Sequence, residues 1–301
     1  MKIIITGASG FVGQNLDLYF RNNNCGFEIE KLSLRKEGWD KNVTNEYRAI
    51  IHLAGKAHDT SNTSSEEEYF KVNRDITIDL YNVFLKSEIK DFFYFSSVKA
   101  VADSVEGILE EEVIGKPFTP YGKSKLEAEQ YLLSQSLPKG KRLFIIRPCM
   151  IHGPGNKGNL NLLYNVVKKG IPWPLASFHN QRSFLSIDNL SFLINEMIGN
   201  KEIPSGIYNF ADDEALSTND LVTLISQTLN KKPKLLRIPA SLIKNTVKIG
   251  DILPLPLNSE RLKKLTESYV VSNKKIKKAL GIDSLPTSTR EGLIKTILSF
   301  K

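Results

Sequence analysis

The chain of 301 residues predicts an α/β fold: a doubly wound parallel sheet with a smaller C-terminal region. Three observations predict it. Short apolar segments alternate with helical patterns through the first half, which calls for right-handed crossovers and a parallel sheet. A glycine-rich turn, Thr6-Gly-Ala-Ser-Gly-Phe-Val-Gly13, follows the first apolar segment and opens a helical one. The other small or polar motifs, Ala54-Gly55 and Ser96-Ser97, fall at ends of later strands, where ligands bind in such sheets.

In chain order, Lys2–Thr6 is an apolar run that reads as a buried strand. Phe11 to Arg21 has helical spacing through Val12, Leu16 and Phe20. Glu28–Leu34 alternates as a strand, and Ala49–Ala54 is a second apolar strand ending in His-Leu-Ala-Gly. The stretch from Arg35 to Ile50 is short for a full helical crossover, so an irregular link is expected. Ser65 to Lys86 reads as one helix, with Tyr69, Phe70, Ile76, Leu80 and Phe84 on one side. Asp91–Ser97 is an aromatic strand, Pro120 to Gln135 a helix, and Lys141–Arg147 a strand closed by Pro148. From Gly153-Pro-Gly-Asn-Lys-Gly158 onward the pattern loosens, with loop-rich segments at Ile171–Ser177 and Leu253–Asn258.

Composition narrows the class. The apolar start, Met-Lys-Ile-Ile-Ile-Thr-Gly, is too short for a signal peptide, and no apolar run approaches the ~20 residues of a membrane helix. Cys25 and Cys149 are far apart and His52, His58, His152 and His179 are unpaired in spacing, so no metal site is expected. Reduced thiols suit a cytoplasmic protein. The net charge of +8 is uneven: residues 231–301 carry 16 Lys/Arg against 5 Asp/Glu, and the remainder is slightly acidic. That excess fits a solvated lysine face or an anionic partner, a nucleotide diphosphate or an acidic membrane surface. No nucleic-acid motif accompanies it.

The glycines Gly7, Gly10 and Gly13 allow a tight turn and close approach of a pyrophosphate to a helix N-terminus. Phe11 and Val12 lie in the same turn. Arg35, 22 residues after Gly13, stands where an acidic residue would hold ribose hydroxyls, and an arginine can instead take a 2′-phosphate. That favours NADP(H), with NAD the alternative. Tyr121 and Lys125, four apart on a helix, share a face. A nearby ammonium favours phenolate, so Tyr121 is expected to titrate below its usual value near 10. Ser96 or Ser97 supplies a hydroxyl at the same sheet edge.

Together these residues resemble the extended short-chain dehydrogenase/reductase, or NAD-dependent epimerase/dehydratase, family over essentially the whole chain. The matching segments are Thr6–Gly13, His52–Gly55, Val72-Asn73, Phe95–Ser97, Tyr121–Lys125, Arg147-Pro148 and Gly153–Gly155. The resemblance implies a Rossmann-like domain over 1–160, with a returning segment near 183–211, and a mainly nucleotide-sugar-binding region over 161–301. It implies a catalytic trio of Ser97, Tyr121 and Lys125, with Gly7, Gly10, Phe11, Val12, Gly13, Arg35, Leu53, Ala54, Gly55 and Ser96 beside the cofactor. Asn73 would be structural. Ala100-Val-Ala102 departs from the family's stretch after the serine and leaves the Ser96/Ser97 register open by one.

Within that family the chain is similar to a UDP-glucose 4-epimerase-like bacterial subgroup that includes 4-keto-reductases of UDP-N-acetyl-6-deoxyhexosamines for surface polysaccharides. Ser96–Lys99, Gly153–Asn159, Gly170–Leu175, Asn180–Phe184 and Asp188–Leu190 carry the similarity. It implies that Arg182 grips the diphosphate and that Lys99, Lys157 and Asn159 contact substrate. Val98-Lys99 replaces the Asp-Glu pair of the family's dehydratases, which disfavours elimination. Three functions stay open: NADP(H)-dependent reduction of a UDP-4-keto-6-deoxy-N-acetylhexosamine, NAD-dependent UDP-hexose 4-epimerisation, or a non-catalytic nucleotide sensor. A homodimer and a weak acidic membrane contact are further partners left open.

Overall fold

The computed structural model describes residues 1–56, 65–156, 158–250 and 258–300. Its centre is a six-stranded sheet of β1 (Lys2–Thr6), β2 (Glu28–Leu32), β3 (Tyr47–His52), β4 (Asp91–Phe95), β6 (Arg142–Pro148) and β9 (Gly206–Phe210), in the order β2-β1-β3-β4-β6-β9. Every neighbouring pair is parallel. The short β5 (Ile108–Leu109), β7 (Met150–His152), β8 (Phe184–Ser186) and β10 (Val270–Val271) form two parallel pairs, β5–β10 and β7–β8.

Helices cover both faces, so the central strands are apolar throughout rather than alternating. Ile3, Ile5, Ile51, Phe93 and Ile146 face α1 (Phe11–Asn22) and, later in the chain, α6 (Ile187–Gly199). Ile4, Ile50, Phe92, Tyr94 and Ile145 face the opposite side. There α2 (Glu66–Phe70) runs through a π segment at Lys71–Asp75 into α3 (Ile76–Lys86), which packs beside α4 (Pro120–Ser134). The single helix expected over 65–86 is therefore widened at its middle, around Asn73. Between β2 and β3 the link is irregular as expected, with one 3-10 turn at Trp39–Asn42. That leaves β2 as the sheet edge, and its residues Glu28, Glu30 and Lys31 are exposed. A charged edge of this kind resists pairing with another chain.

The chain leaves β1 toward β2 on one side and returns to β3 on the other, so the crevice outside β1 and β3 is the sheet's switch point. A second apolar core gathers α5 (Asn159–Lys168), α7 (Thr218–Thr228), α8 (Ala240–Gly250) and α11 (Thr289–Leu298) around Tyr164, Trp173, Leu175 and Phe184. Helices α9 (Ser259–Thr266) and α10 (Lys274–Leu280) complete the C-terminal half. Most of the loop-rich segment expected at 253–258 lies outside the described residues.

Candidate active site

The glycine turn sits at the switch point. Gly7 has φ +68°, and a Cβ there would lie 2.6 Å from the Ala54 nitrogen. A Cβ on Gly13 would come 2.6 Å from the Ala8 Cα. Only glycine permits both the left-handed turn and the two close approaches. Gly10 caps α1 with no side-chain hydrogen bond, and the first turn of α1 holds no acidic residue. Its free N–H groups and dipole suit a pyrophosphate. Arg35 is exposed in the turn just after β2, at the same edge. These features fit a dinucleotide.

Beside the turn is a cleft of about 270 Å³ lined by Val12, Leu53, Gly55, Lys56, Phe95, Ser96, Ser97, Tyr121, Lys125, Pro148, Cys149 and Ile151. Tyr121 and Lys125 enter it from the start of α4. Thr119 caps that helix, its hydroxyl accepting from the Gly122 N–H at 3.3 Å, and Pro120 fills the first turn. Gly122 lets the helix press on the Val98–Ala100 turn, since a Cβ would sit 2.4 Å from the Lys99 carbonyl oxygen. That contact brings Ser97 to Tyr121, and the two side chains are hydrogen-bonded.

Ser96 points elsewhere. Its hydroxyl donates to Glu129, which forms a buried ion pair with Arg147 (Nη2 to Oε2, 2.5 Å). Of the two serines left open by the register, Ser97 is the one that meets Tyr121, and both line the cleft.

The expected low pKa of Tyr121 is not found. Burial pushes the phenol above its ordinary value, and the Ser97 hydrogen bond only partly opposes this. The physical reason is where the ammonium points. Lys125 Nζ donates to the Phe95 carbonyl at 2.8 Å and lies over the Tyr94 ring at 5.0 Å. Burial brings the Lys125 pKa down to about 8, against the pull of Glu129.

A polar chain beneath the cleft holds these parts in register. Asn73, buried in the π segment, accepts from the Lys56 N–H at 2.7 Å and donates to the Lys56 carbonyl and the Ser124 hydroxyl, both at 3.1 Å. Ser124 donates to the Tyr121 carbonyl at 2.8 Å. A π bulge of this kind is common at functional sites. His52 lies between Thr6 Oγ1 (2.7 Å) and Thr77 Oγ1 (2.9 Å), and Thr77 donates onward to the Asn73 carbonyl. Full burial drives the His52 pKa down to about 3, so the ring is neutral. Its Nε2–H then donates to Thr77, and its Nδ1 accepts from Thr6, whose oxygen also receives the Ala54 N–H at 3.2 Å.

Lys99, Asn159 and Arg182 are not among the residues lining this cleft. Lys99 Nζ donates to the Asp103 carbonyl at 2.7 Å and covers the Tyr269 ring. Asn159 is exposed at the start of α5. Arg182 bridges Leu216 and Tyr269 through its backbone, and burial lowers its pKa. Lys157 and His58 lie outside the described residues. Among the described residues no cluster of His, Cys, Asp and Glu could hold a metal. Sequence reasoning missed Lys56, Cys149, Ile151 and the Glu129–Arg147 pair. Glu129 had a signal, since it stands four residues past Lys125 on the same helical face.

Known proteins bear on this geometry. Over 99% of this chain and 95% of its own length, the UDP-glucose 4-epimerase of Vibrio cholerae is 29% identical. The GDP-6-deoxy-D-mannose reductase of Pseudomonas aeruginosa is 22% identical over 79% of this chain and 84% of its own. The solved structure of MoeE5 in complex with UDP-glucose and NAD superimposes with a TM-score of 0.77 at 18% identity, covering 99% of this chain and 98% of that one. The model of the NAD dependent epimerase/dehydratase family matches residues 3–211. With the Rossmann-like sheet, the glycine turn and the Ser97–Tyr121–Lys125 cleft in place, the chain belongs to that family and is an enzyme of it.

Proposed function

We propose that this enzyme reduces the C4 ketone of a UDP-4-keto-6-deoxy-N-acetylhexosamine with NADPH, in the cytoplasm, to supply surface polysaccharide precursors. The observation that carries reduction is Arg35. Ser33, Leu34, Arg35 and Lys36 follow β2 with no carboxylate among them, and Arg35 is exposed. A guanidinium there pairs with a 2′-phosphate. NADPH that exchanges suits net reduction, whereas an epimerase retains its NAD.

Residues 1–160, with the returning segment near 183–211, hold the cofactor in this reading, and 161–301 mainly hold the nucleotide-sugar. The cofactor, when bound, supplies the hydride. The backbone of Gly7–Gly13 receives its pyrophosphate, Phe11, Val12 and Leu53–Gly55 flank it, and Lys125 holds its nicotinamide ribose. Tyr121 gives its proton to the C4 oxygen while Ser97 donates a hydrogen bond to the same atom. A phenol pushed up by burial keeps its proton at neutral pH, the form a reductase needs at the start of turnover. Arg182 pairs with the diphosphate, and Lys99 and Asn159 contact the substrate.

Epimerisation at C4 is the second reading, favoured by the full-length similarity to a protein named UDP-glucose 4-epimerase. One preparation separates the two. Reduction predicts NADPH consumption and a 4-hydroxy product from the 4-keto sugar nucleotide. Co-purified NAD, with interconversion of UDP-hexoses and no added reductant, would overturn it in favour of the epimerase.

A further inference from the structure

The C-terminal half carries a surface that shares no residue with the cleft. Segments 159–179 and 221–250 contain seven lysines and one arginine, Lys168, Lys169, Lys231, Lys232, Lys234, Arg237, Lys244 and Lys248, and no Asp or Glu. The fold brings these distant segments together. Trp173 and Leu175 bridge Leu235 and Arg237, with Trp173 N–H donating to the Lys234 carbonyl at 2.8 Å and Leu236 N–H to the Trp173 carbonyl at 2.9 Å. Lys231 Nζ donates to the Lys168 carbonyl at 2.5 Å and Lys234 Nζ to the Gly170 carbonyl at 3.2 Å, at the C-terminal end of α5. Between them opens a largely apolar hollow of about 340 Å³ lined by Val167, Ile171 and Val222 and rimmed by Lys231, Lys232 and Lys234.

Apolar side chains stand out from the same face. Ile171 is 51% exposed and Leu236 47%. In the extended segment 231–237, Lys232, Lys234 and Leu236 alternate to one side. Lysines interleaved with protruding aliphatic residues match the interface of an anionic bilayer: ammonium groups meet the headgroups and the aliphatic tips enter the acyl boundary. Nucleic acid is a poorer match, because the protruding residues here are aliphatic, with no exposed aromatic ring for a base to stack on.

We propose that this basic face, 168–171 with 231–236, docks the enzyme on an anionic lipid surface. The inference does not depend on which sugar is processed. The test is co-sedimentation of the full chain with phosphatidylcholine vesicles, with and without phosphatidylglycerol. Binding is expected only with the anionic lipid, and it falls at high salt. The substitutions Lys231→Glu, Lys232→Glu and Lys234→Glu together lower partitioning by about a hundredfold, roughly fivefold for each lysine.

Because Lys231 and Lys234 also cap α5, a second variant guards against misfolding. It pairs Lys232→Glu with Ile171→Ser, and Lys232 makes no hydrogen bond or ion pair among the described residues. That variant keeps the parent's turnover in solution and loses about tenfold or more in vesicle binding. Equal binding to neutral vesicles, no binding at all, or binding indifferent to both variants overturns the proposal. Retention on RNA with none on vesicles also overturns it and assigns the face to nucleic acid.

Discussion

Two sets of buried polar atoms in this protein stand in opposite conditions. Under the cleft the polar side chains form one connected path: Thr6, His52, Thr77, Asn73, Ser124 and then the backbone of Tyr121. In the C-terminal core Tyr164 Oη, Trp173 Nε1 and Asn219 Oδ1 have no hydrogen-bond partner among the described residues. A satisfied network fixes geometry, because each member would lose its partner if another moved. The C-terminal core rests instead on apolar packing, which tolerates substitution of similar volume. The difference separates a stretch whose polar geometry is fixed from one held by packing.

Four measurements sharpen or break that contrast. The largest effect is expected at the cleft itself. Tyr121→Phe lowers turnover by ~100 to 10,000-fold, the usual share of a positioned proton donor, while NADPH affinity stays near that of the parent. Equal losses in affinity and turnover would mean that the phenol acts in binding.

Next is the buried pair that anchors α4 to β6. Glu129→Ala strands Arg147, which is 3% exposed, and also frees the Ser96 hydroxyl. Urea titration should show a loss of about 3–5 kcal/mol. A loss below ~1 kcal/mol would mean that the guanidinium finds water.

A paired comparison then addresses the two cores directly. Thr77→Val removes the link between His52 and the Asn73 carbonyl and should cost about 1–3 kcal/mol. Tyr164→Phe deletes a hydroxyl without a partner and should change stability by less than ~0.5 kcal/mol. Similar losses in the two would erase the distinction.

A pH dependence completes the set. The folded pKa of Lys125, about 8, lies below its unfolded value near 10.5. In the free enzyme the ammonium is therefore lost as pH rises through about 8. If that ammonium holds the nicotinamide ribose, NADPH affinity falls above that pH, by at most about tenfold per unit. The folded state also holds fewer protons than the unfolded one between pH 8 and 10.5, so stability from this group rises with pH across that window. In Lys125→Met the alkaline limb of the affinity profile should vanish.

Much of the first core was readable from the chain because its rules are local. Gly7, Gly10 and Gly13 announce a turn that sterics reserve for glycine, and the helix read from Pro120 is α4. Spacing alone put Tyr121 and Lys125 on one wall, and both line the cleft. What spacing could not give was the direction of the ammonium. It turns to the Phe95 carbonyl, so burial rather than the neighbouring charge sets the phenol's titration. The π segment at Asn73 was likewise hidden, since its apolar periodicity reads as an ordinary helix and Asn73's bonds to Lys56 and Ser124 reach far along the chain. Lys99, Asn159 and Arg182 rested on resemblance, and their places depend on loops whose packing no local pattern encodes.

By itself the sequence determined the parallel sheet, the anion-ready turn and a phenol and an ammonium on one helical wall, because sterics and periodicity act within a few residues of chain. Only the tertiary structure decided that Ser97 rather than Ser96 meets Tyr121, that Lys125 is desolvated, and that two basic segments more than fifty positions apart share one face. Those outcomes depend on what is buried against what, and burial is a property of the folded whole.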